Sequence, residues 1–272
     1  VANVLLRIPA AVLIEGEREY RNRSLGNRII LRWAARTSRL LVQTAGIQTA
    51  VLAGAGVRAP VLPNGLSLPE ERADGDKILY VGRLVRDRTN DKGVRYLIEA
   101  VRETRWETVI VGDGPELEDL RNLARGAPHI SFAGRVSPSE VGRFLKQGRV
   151  LVVPSVFGEG LPNVILEAMA RGLPVIAART AGIPDIIEHG RTGLLVDPAD
   201  AGQIRDSIAL LRSRPALDRR IREQALEAAR AFAWEAVAGT FEEIWADIAR
   251  RKKGGGKTGG GRREGPGGRP GV

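Results

Sequence analysis

From Lys77 onward the chain alternates short β-branched runs with amphipathic stretches, and no other feature restricts its fold as strongly. Six runs read as strands, at 77–82, 108–112, 129–134, 150–154, 174–177 and 193–196. Apolar residues at helical spacing predict helices between them, over 93–103, 115–125, 137–147, 162–171 and 183–189, then a helical run over 200–212, 215–231 and 234–251. Strands apolar on both faces and separated by helices pair in parallel, so the expected class is α/β with a doubly wound, Rossmann-like sheet. Four of the runs end in Gly or Pro, which gives tight turns and room for a ligand at the carboxyl edge of such a sheet.

Residues 1–63 repeat the alternation less completely, with strands expected at 4–8, 39–43 and 60–63 and helices at 27–37 and 46–54. Three strands do not complete a doubly wound domain. Residues 1–63 are therefore expected to be the C-terminal part of a second Rossmann-like domain whose N-terminal strands are missing. Residues 64–76, rich in Pro, Gly and acids, read as a linker, 77–231 as the main domain and 232–250 as a closing helix.

The formal net charge of +10 invites a nucleic-acid partner, but the charge sits at the two ends. Residues 1–44 hold eight Arg and three Glu, residues 250–272 hold eight Lys or Arg and one Glu, and the long stretch between is close to neutral. Residues 251–272 contain ten Gly and two Pro without an apolar period, so a disordered basic tail is expected. That tail is either a solubilising segment or a binder of anionic lipid or RNA. It carries no aromatics for stacking on single strands, and no nucleic-acid partner is assigned. The Arg-rich segment from Arg18 to Arg39 fits peripheral contact with an anionic membrane and a solvated helix face equally well. With no apolar run near the roughly 20 residues of a membrane span and no secretory leader pattern, the expected location is cytoplasmic, peripheral at the inner membrane face if that segment meets lipid.

The absence of cysteine excludes disulfides, a thiolate nucleophile and zinc–cysteine sites. His129 and His189 are the two histidines, both expected in structural roles, and Trp33, Trp106, Trp234 and Trp245 are expected as packing anchors. Chemistry must then rest on carboxylates, cations and backbone amides. The densest signal is Pro154-Ser-Val-Phe-Gly-Glu-Gly-Leu-Pro-Asn-Val-Ile-Leu-Glu-Ala-Met-Ala170, a strand end, a glycine-rich loop and a helix start with Pro162 at its first position. Such a loop aims amides at the sheet edge and suits phosphate. Glu159 and Glu167 can reach the same crevice and accept hydrogen bonds from hydroxyls; alternatively Glu159 is solvated and Glu167 pairs with Arg171 at i+4. Gly82-Arg83-Leu84 and Asp91-Lys92-Gly93 place two cations at strand and helix ends, suited to a diphosphate or simply exposed. Gly112-Asp113-Gly114 suits a base or ribose contact, and equally a turn before a helix.

Gly-Arg-Leu…Lys-Gly, Val-Gly-Asp-Gly-Pro, Phe-Ala-Gly-Arg-Val, the Glu159–Glu167 segment, Gly-Ile-Pro-Asp and Gly-Leu-Leu-Val, in that order over 60–250, resemble the donor domain of retaining GT-B glycosyltransferases of family 4. The resemblance implies transfer of a sugar from a nucleoside diphosphate sugar to a hydroxyl of a saccharide or lipid-linked acceptor, by front-face displacement in which the leaving diphosphate helps deprotonate that hydroxyl. It makes Glu159 a contact of the donor sugar and Glu167 of the ribose, with Gly82, Arg83 and Lys92 at the diphosphate. Gly112, Asp113, Arg135 and Val136 would border the nucleoside, and the amides of Gly160, Leu161, Asn163 and Val164, beside Pro162, would meet phosphate and sugar oxygens. Glu159, Arg83 and Lys92 are the implied catalytic residues, and no cofactor or metal is expected. The closing helix after Phe232-Ala-Trp234 would cross back to the first domain.

Three features depart from the family's pattern. Extra residues at 86–90 separate Arg83 from Lys92, Ala181-Gly-Ile-Pro-Asp185 replaces Gly-Gly-x-Pro-Glu, and no histidine precedes His129, with Pro9 or Ala10 standing where the acceptor-side histidine is common. Binding of a nucleotide sugar without transfer, and a GT-B-type sugar-nucleotide epimerase, are the alternative readings.

Overall fold

The computed structural model describes residues 11–14, 39–42, 61–87, 90–157, 160–180 and 182–254. Its centre is a six-stranded parallel sheet of β3 (Lys77–Val81), β4 (Thr108–Val111), β5 (Ile130–Gly134), β6 (Gly148–Val153), β7 (Val175–Ala178) and β8 (Leu194–Val196), in the order β5-β4-β3-β6-β7-β8. All six strands expected from the sequence form. The strands alternate between two cores, except the edge strand β5, where Ser131 and Ala133 are exposed. Ile78, Tyr80, Val150, Val152, Ile176 and Ala178 face one side, and Leu79, Leu151, Val153, Val175 and Ala177 face the other. Burial of both faces is what makes these runs almost continuously apolar.

On the first face lie α1 (Val94–Val101), α2 (Leu117–Leu123) and α5 (Ala201–Ser213). Val94, Leu97, Ile98 and Val101 form a helical stripe on α1 that packs with Ile204, Ile208 and Leu211 of α5. Each such side chain contributes about 1.5–3 kcal/mol by leaving water. The second face carries α3 (Pro138–Lys146), α4 (Asn163–Met169) and α6 (Pro215–Ala229), with Leu145, Ile165, Leu166, Met169, Ala225 and Ala229 buried. Ser137 and Glu140 close a reciprocal capping box at the start of α3, and the hydrogen bonds from Ser137 hold the Glu140 carboxyl below the usual carboxylate range. Crossovers run one way from β3 and the other way from β6, so the winding reverses between these two strands. That reversal opens a crevice at their carboxyl ends.

The segment before the sheet and the segment after α6 meet side by side. Leu66 N–H donates to Phe232 O at 2.9 Å and Trp234 N–H to Leu66 O at 3.1 Å. A Cβ on Gly65 would lie 2.3 Å from the Trp234 ring, so only glycine fits there. Farther along, Ala73 N–H donates to Arg171 O, and Arg222 on α6 donates to the carbonyls of Ala73, Gly172 and Arg149.

Several expectations change. The first strand found is β1 (Ala11–Ile14), parallel to β2 (Arg39–Val42), while 4–8, Pro9, Ala10, the helices at 27–37 and 46–54, and Trp33 lie outside the described residues. Val61 is a lone bridge and 61–63 form no strand, because the prolines cannot donate to a ladder. The helix expected over 183–189 is a single 3-10 turn, Ile183–Asp185. Thr192 Oγ1 takes the Glu188 N–H and Gly193 O takes that of Gly190, so the backbone leaves the helix; His189 bridges to Gly193 and its Nδ1 accepts from Leu195 N–H at 3.0 Å. The last helix, α7 (Trp234–Gly254), runs three residues past 251. Residues 255–272 lie outside the described residues. Trp106 packs on the core beneath Arg212, whereas Trp234 and Trp245 are 56% and 43% exposed, Trp245 stacking on Phe241.

Candidate active site

A cavity of about 750 Å³ sits at the reversal point, at the carboxyl ends of β3, β4 and β6. Gly82, Arg83, Lys92, Gly112, Asp113, Arg135, Val136, Pro162, Val164 and Glu167 line it, ten of the fourteen site residues expected from the sequence. Leu161 instead turns into the core at 7% exposure, and the Asn163 side chain accepts from Asn64 Nδ2 at 2.6 Å; neither these two nor Gly160 lines the cavity. Glu159 lies outside the described residues.

Backbone chemistry builds the cation end. Arg83 is exposed on the loop after β3, whose carbonyl accepts the Tyr80 hydroxyl proton at 2.8 Å, so a core tyrosine holds that loop from below. Before Lys92, Asp87 N–H donates to Asn90 O at 2.8 Å and Arg86 bridges back to Asp91. Lys92 lines the cavity, while Arg86 faces Asp91 at 3.7 Å and does not line it. Asp91 is buried and organises the junction. Its Oδ1 accepts from Gly93 N–H at 2.8 Å and its backbone pairs with Val156 and Phe157, next to the loop that leads to Glu159. Gly93 takes φ of 65°, and a Cβ there would lie 2.1 Å from Pro154 O.

The second wall is equally close. Gly112 has φ of 144° with its would-be Cβ 1.8 Å from Gly82 O, so the ends of β3 and β4 approach as only two glycine-bearing loops can. Leu84 N–H donates to Asp113 O and Glu116 N–H to Leu84 O, locking the Arg83 and Asp113 loops together. Val136, Pro138 and Val141 make the far end apolar, beside Arg135.

Glu167 is half-buried on the wall formed by α4, and burial raises its carboxyl above the ordinary range, opposed by the nearby Arg171 guanidinium. Arg171 donates to the Glu167 backbone carbonyl at 3.0 Å, so the i,i+4 pairing falls on the main chain. Gly114, from the Gly-Asp-Gly turn, also lines the cavity, as do Tyr80, Asn90, Pro138, Val141 and Ser155, which were not foreseen. Ser155, two residues after β6, follows from the rule that ligands sit where the winding reverses; the others depend on which strands neighbour one another. His129 Nε2–H donates to Val101 O at 3.0 Å and is structural. Among the described residues no group of three or more His, Cys, Asp or Glu gathers as a metal cage, and no helix is long and apolar enough to cross a membrane.

Three cations, Arg83, Lys92 and Arg135, two acids, Asp113 and Glu167, and an apolar recess gather at the reversal of a parallel sheet, where doubly wound α/β proteins hold their ligands. Residues 75–213 match the family described as glycosyl transferases group 1, and the chain belongs to that family. It is 31% identical over 207 residues to an exopolysaccharide phosphotransferase of Streptomyces coelicolor, covering 74% of this chain and 22% of that one. To the alpha-D-kanosaminyltransferase of Streptomyces kanamyceticus it is 36% identical over 180 residues, 61% of this chain and 45% of the relative. The chain thus spans about half or less of the curated relatives it matches. Its fold is that of GT-B glycosyltransferases: HepE of Anabaena, solved with UDP, superimposes with a TM-score of 0.80 at 20% identity, over 90% of this chain and 74% of that one.

Proposed function

We propose that this chain carries the donor half of a retaining glycosyltransferase, which moves a sugar from a nucleoside diphosphate sugar to a hydroxyl of a saccharide or lipid-linked acceptor. The observation that carries the reading is the convergence of Arg83, Lys92 and Glu167 on one cavity from three separate elements. The HepE structures with UDP-glucose, and with UDP and glucose, support a nucleotide sugar as the donor.

Arg83 and Lys92 supply two positive charges for the diphosphate, and Glu167 accepts from the ribose hydroxyls. Val136 and Arg135 border the base, and Glu159 is assigned to the donor sugar. In the transfer, the bond between the anomeric carbon and the diphosphate oxygen breaks while a bond to the acceptor oxygen forms on the same face. The acceptor proton passes to the leaving phosphate. Negative charge therefore grows where Arg83 and Lys92 stand, and they stabilise the transition state more than the ground state. These two cations fill the role a divalent ion would otherwise take, so the proposal includes no metal.

The test is incubation with α-configured UDP-, GDP- and ADP-sugars and simple sugar acceptors, reading the product's anomeric configuration by NMR. The proposal expects an α-linked product, with kcat reduced about 10²–10³-fold in Arg83→Ala. A β-linked product overturns retention, free epimer without acceptor overturns transfer, and nucleotide binding without turnover restricts the chain to the binding role.

A further inference from the structure

Arg95 and Glu116 form an ion pair between the first turn of α1 and the residue that caps α2. Their side chains are 22% and 8% exposed, so most of the pair has left water. Neither residue lines the cavity.

Stability does not account for this pair. Arg95 sits at the positive end of its own helix, in a first turn with no acid to offset it. Arg95 Nε and Glu116 Oε2 are both buried without a hydrogen-bond partner among the described residues, so the network is only half satisfied. A buried pair of this kind is commonly matched or bettered in stability by apolar side chains of similar volume. A local rule broken without a stabilising return points to geometry at a functional site.

The connectivity shows which geometry. Lys92 N–H donates to Val85 O at 3.1 Å, and Leu84 N–H donates to Asp113 O at 3.0 Å, so backbone bonds run from the Lys92 junction through the β3 loop to Asp113. Arg95 lies three residues after Lys92, and Glu116 three after Asp113. Their ion pair closes that path into a ring holding the Lys92, Arg83 and Asp113 segments.

We propose that Arg95 and Glu116 are positioning residues of the donor site, setting the distance between the cation at Lys92 and the nucleoside-side loop at Asp113. This rests on the donor-site reading above.

The test titrates UDP, GDP and ADP into the whole chain as wild type, Arg95→Met/Glu116→Leu and Arg95→Lys, with urea unfolding of each. The double variant is expected to unfold at or above the wild-type midpoint yet to bind the preferred nucleotide at least tenfold more weakly. Arg95→Lys, which keeps the charge but loses the planar fork, is expected to lose about threefold. In turnover, the loss appears in the donor KM and not in the acceptor KM. Wild-type affinity in the folded double variant overturns the proposal. If the double variant does not fold, Arg95→Lys decides, and an unchanged affinity there overturns it. No binding by folded wild type overturns the donor-site reading instead.

Discussion

Gly112→Ala probes the closest approach in the site. At φ of 144° an L side chain is strained, which costs about 1–3 kcal/mol. Gly126 offers a control, because its φ of 86° is also left-handed but nothing lies within 4 Å of its would-be Cβ. Gly112 adds a contact of 1.8 Å to Gly82 O, more than an ångström closer than Cβ atoms come to neighbouring atoms. The oxygen is backbone, so no side chain can swing away, and the ends of β3 and β4 must part. Gly82 leads directly into Arg83, and a displacement of about 1 Å at a reacting site costs about 10²-fold. Urea unfolding should therefore show Gly126→Ala losing about 1 kcal/mol and Gly112→Ala about 2 kcal/mol more. Nucleotide affinity should fall at least tenfold in Gly112→Ala and stay at the wild-type value in Gly126→Ala. Equal stability losses in the two variants, or full affinity in Gly112→Ala, would refute the claim that this glycine exists for the close approach.

Other expectations follow from particular groups. Burial raises the Glu167 carboxyl, so the folded chain holds that proton to higher pH than the unfolded chain; its stabilising contribution is complete below the ordinary carboxylate value and is lost as pH rises through the raised one. Urea unfolding from about pH 4 to 7 should show wild type losing stability relative to Glu167→Gln as pH rises, given an unfolded Glu value of about 4.3. Arg222→Met leaves the buried Asp218, at 3.0 Å, short of its main partner. Allowing for the partial exposure of Arg222 and for Arg149 at 3.7 Å, a loss of about 2–4 kcal/mol in urea unfolding is expected, with nucleotide affinity unchanged. Turnover in excess EDTA should equal turnover without it, because Arg83 and Lys92 supply the charge; loss restored by Mg²⁺ would contradict that assignment.

The inner strands were legible because both their faces are buried, which leaves them largely apolar, with Gly or Pro at several of their ends. Lys92 lines the cavity despite its shifted spacing, because Asp87 pairs with Asn90 and Arg86 with Asp91 just before the Lys-Gly junction. The 183–189 segment misled because its apolar spacing is helical while Thr192 and Gly193, farther along the chain, capture the hydrogen bonds a helix would use. The side chains of Leu161 and Asn163, as opposed to their amides, were not readable from sequence. Proximity to the glycine-rich loop did not reveal that one faces the core and the other meets Asn64, 99 residues away. Tyr80 and the Arg95–Glu116 pair share this limit. Which strand ends become neighbours is set by the order β5-β4-β3-β6-β7-β8, and strand order is not written in local periodicity.

The central claim is that the cavity at the β3–β6 reversal binds a nucleoside diphosphate through Arg83, Lys92 and Glu167. Calorimetric titration of the folded chain with UDP, GDP and ADP, beside Arg83→Ala and Glu167→Ala, tests it most directly. One nucleotide is expected to bind tightly, and both variants to bind it at least tenfold more weakly. Absence of binding by all three nucleotides, or undiminished binding in both variants, would contradict it.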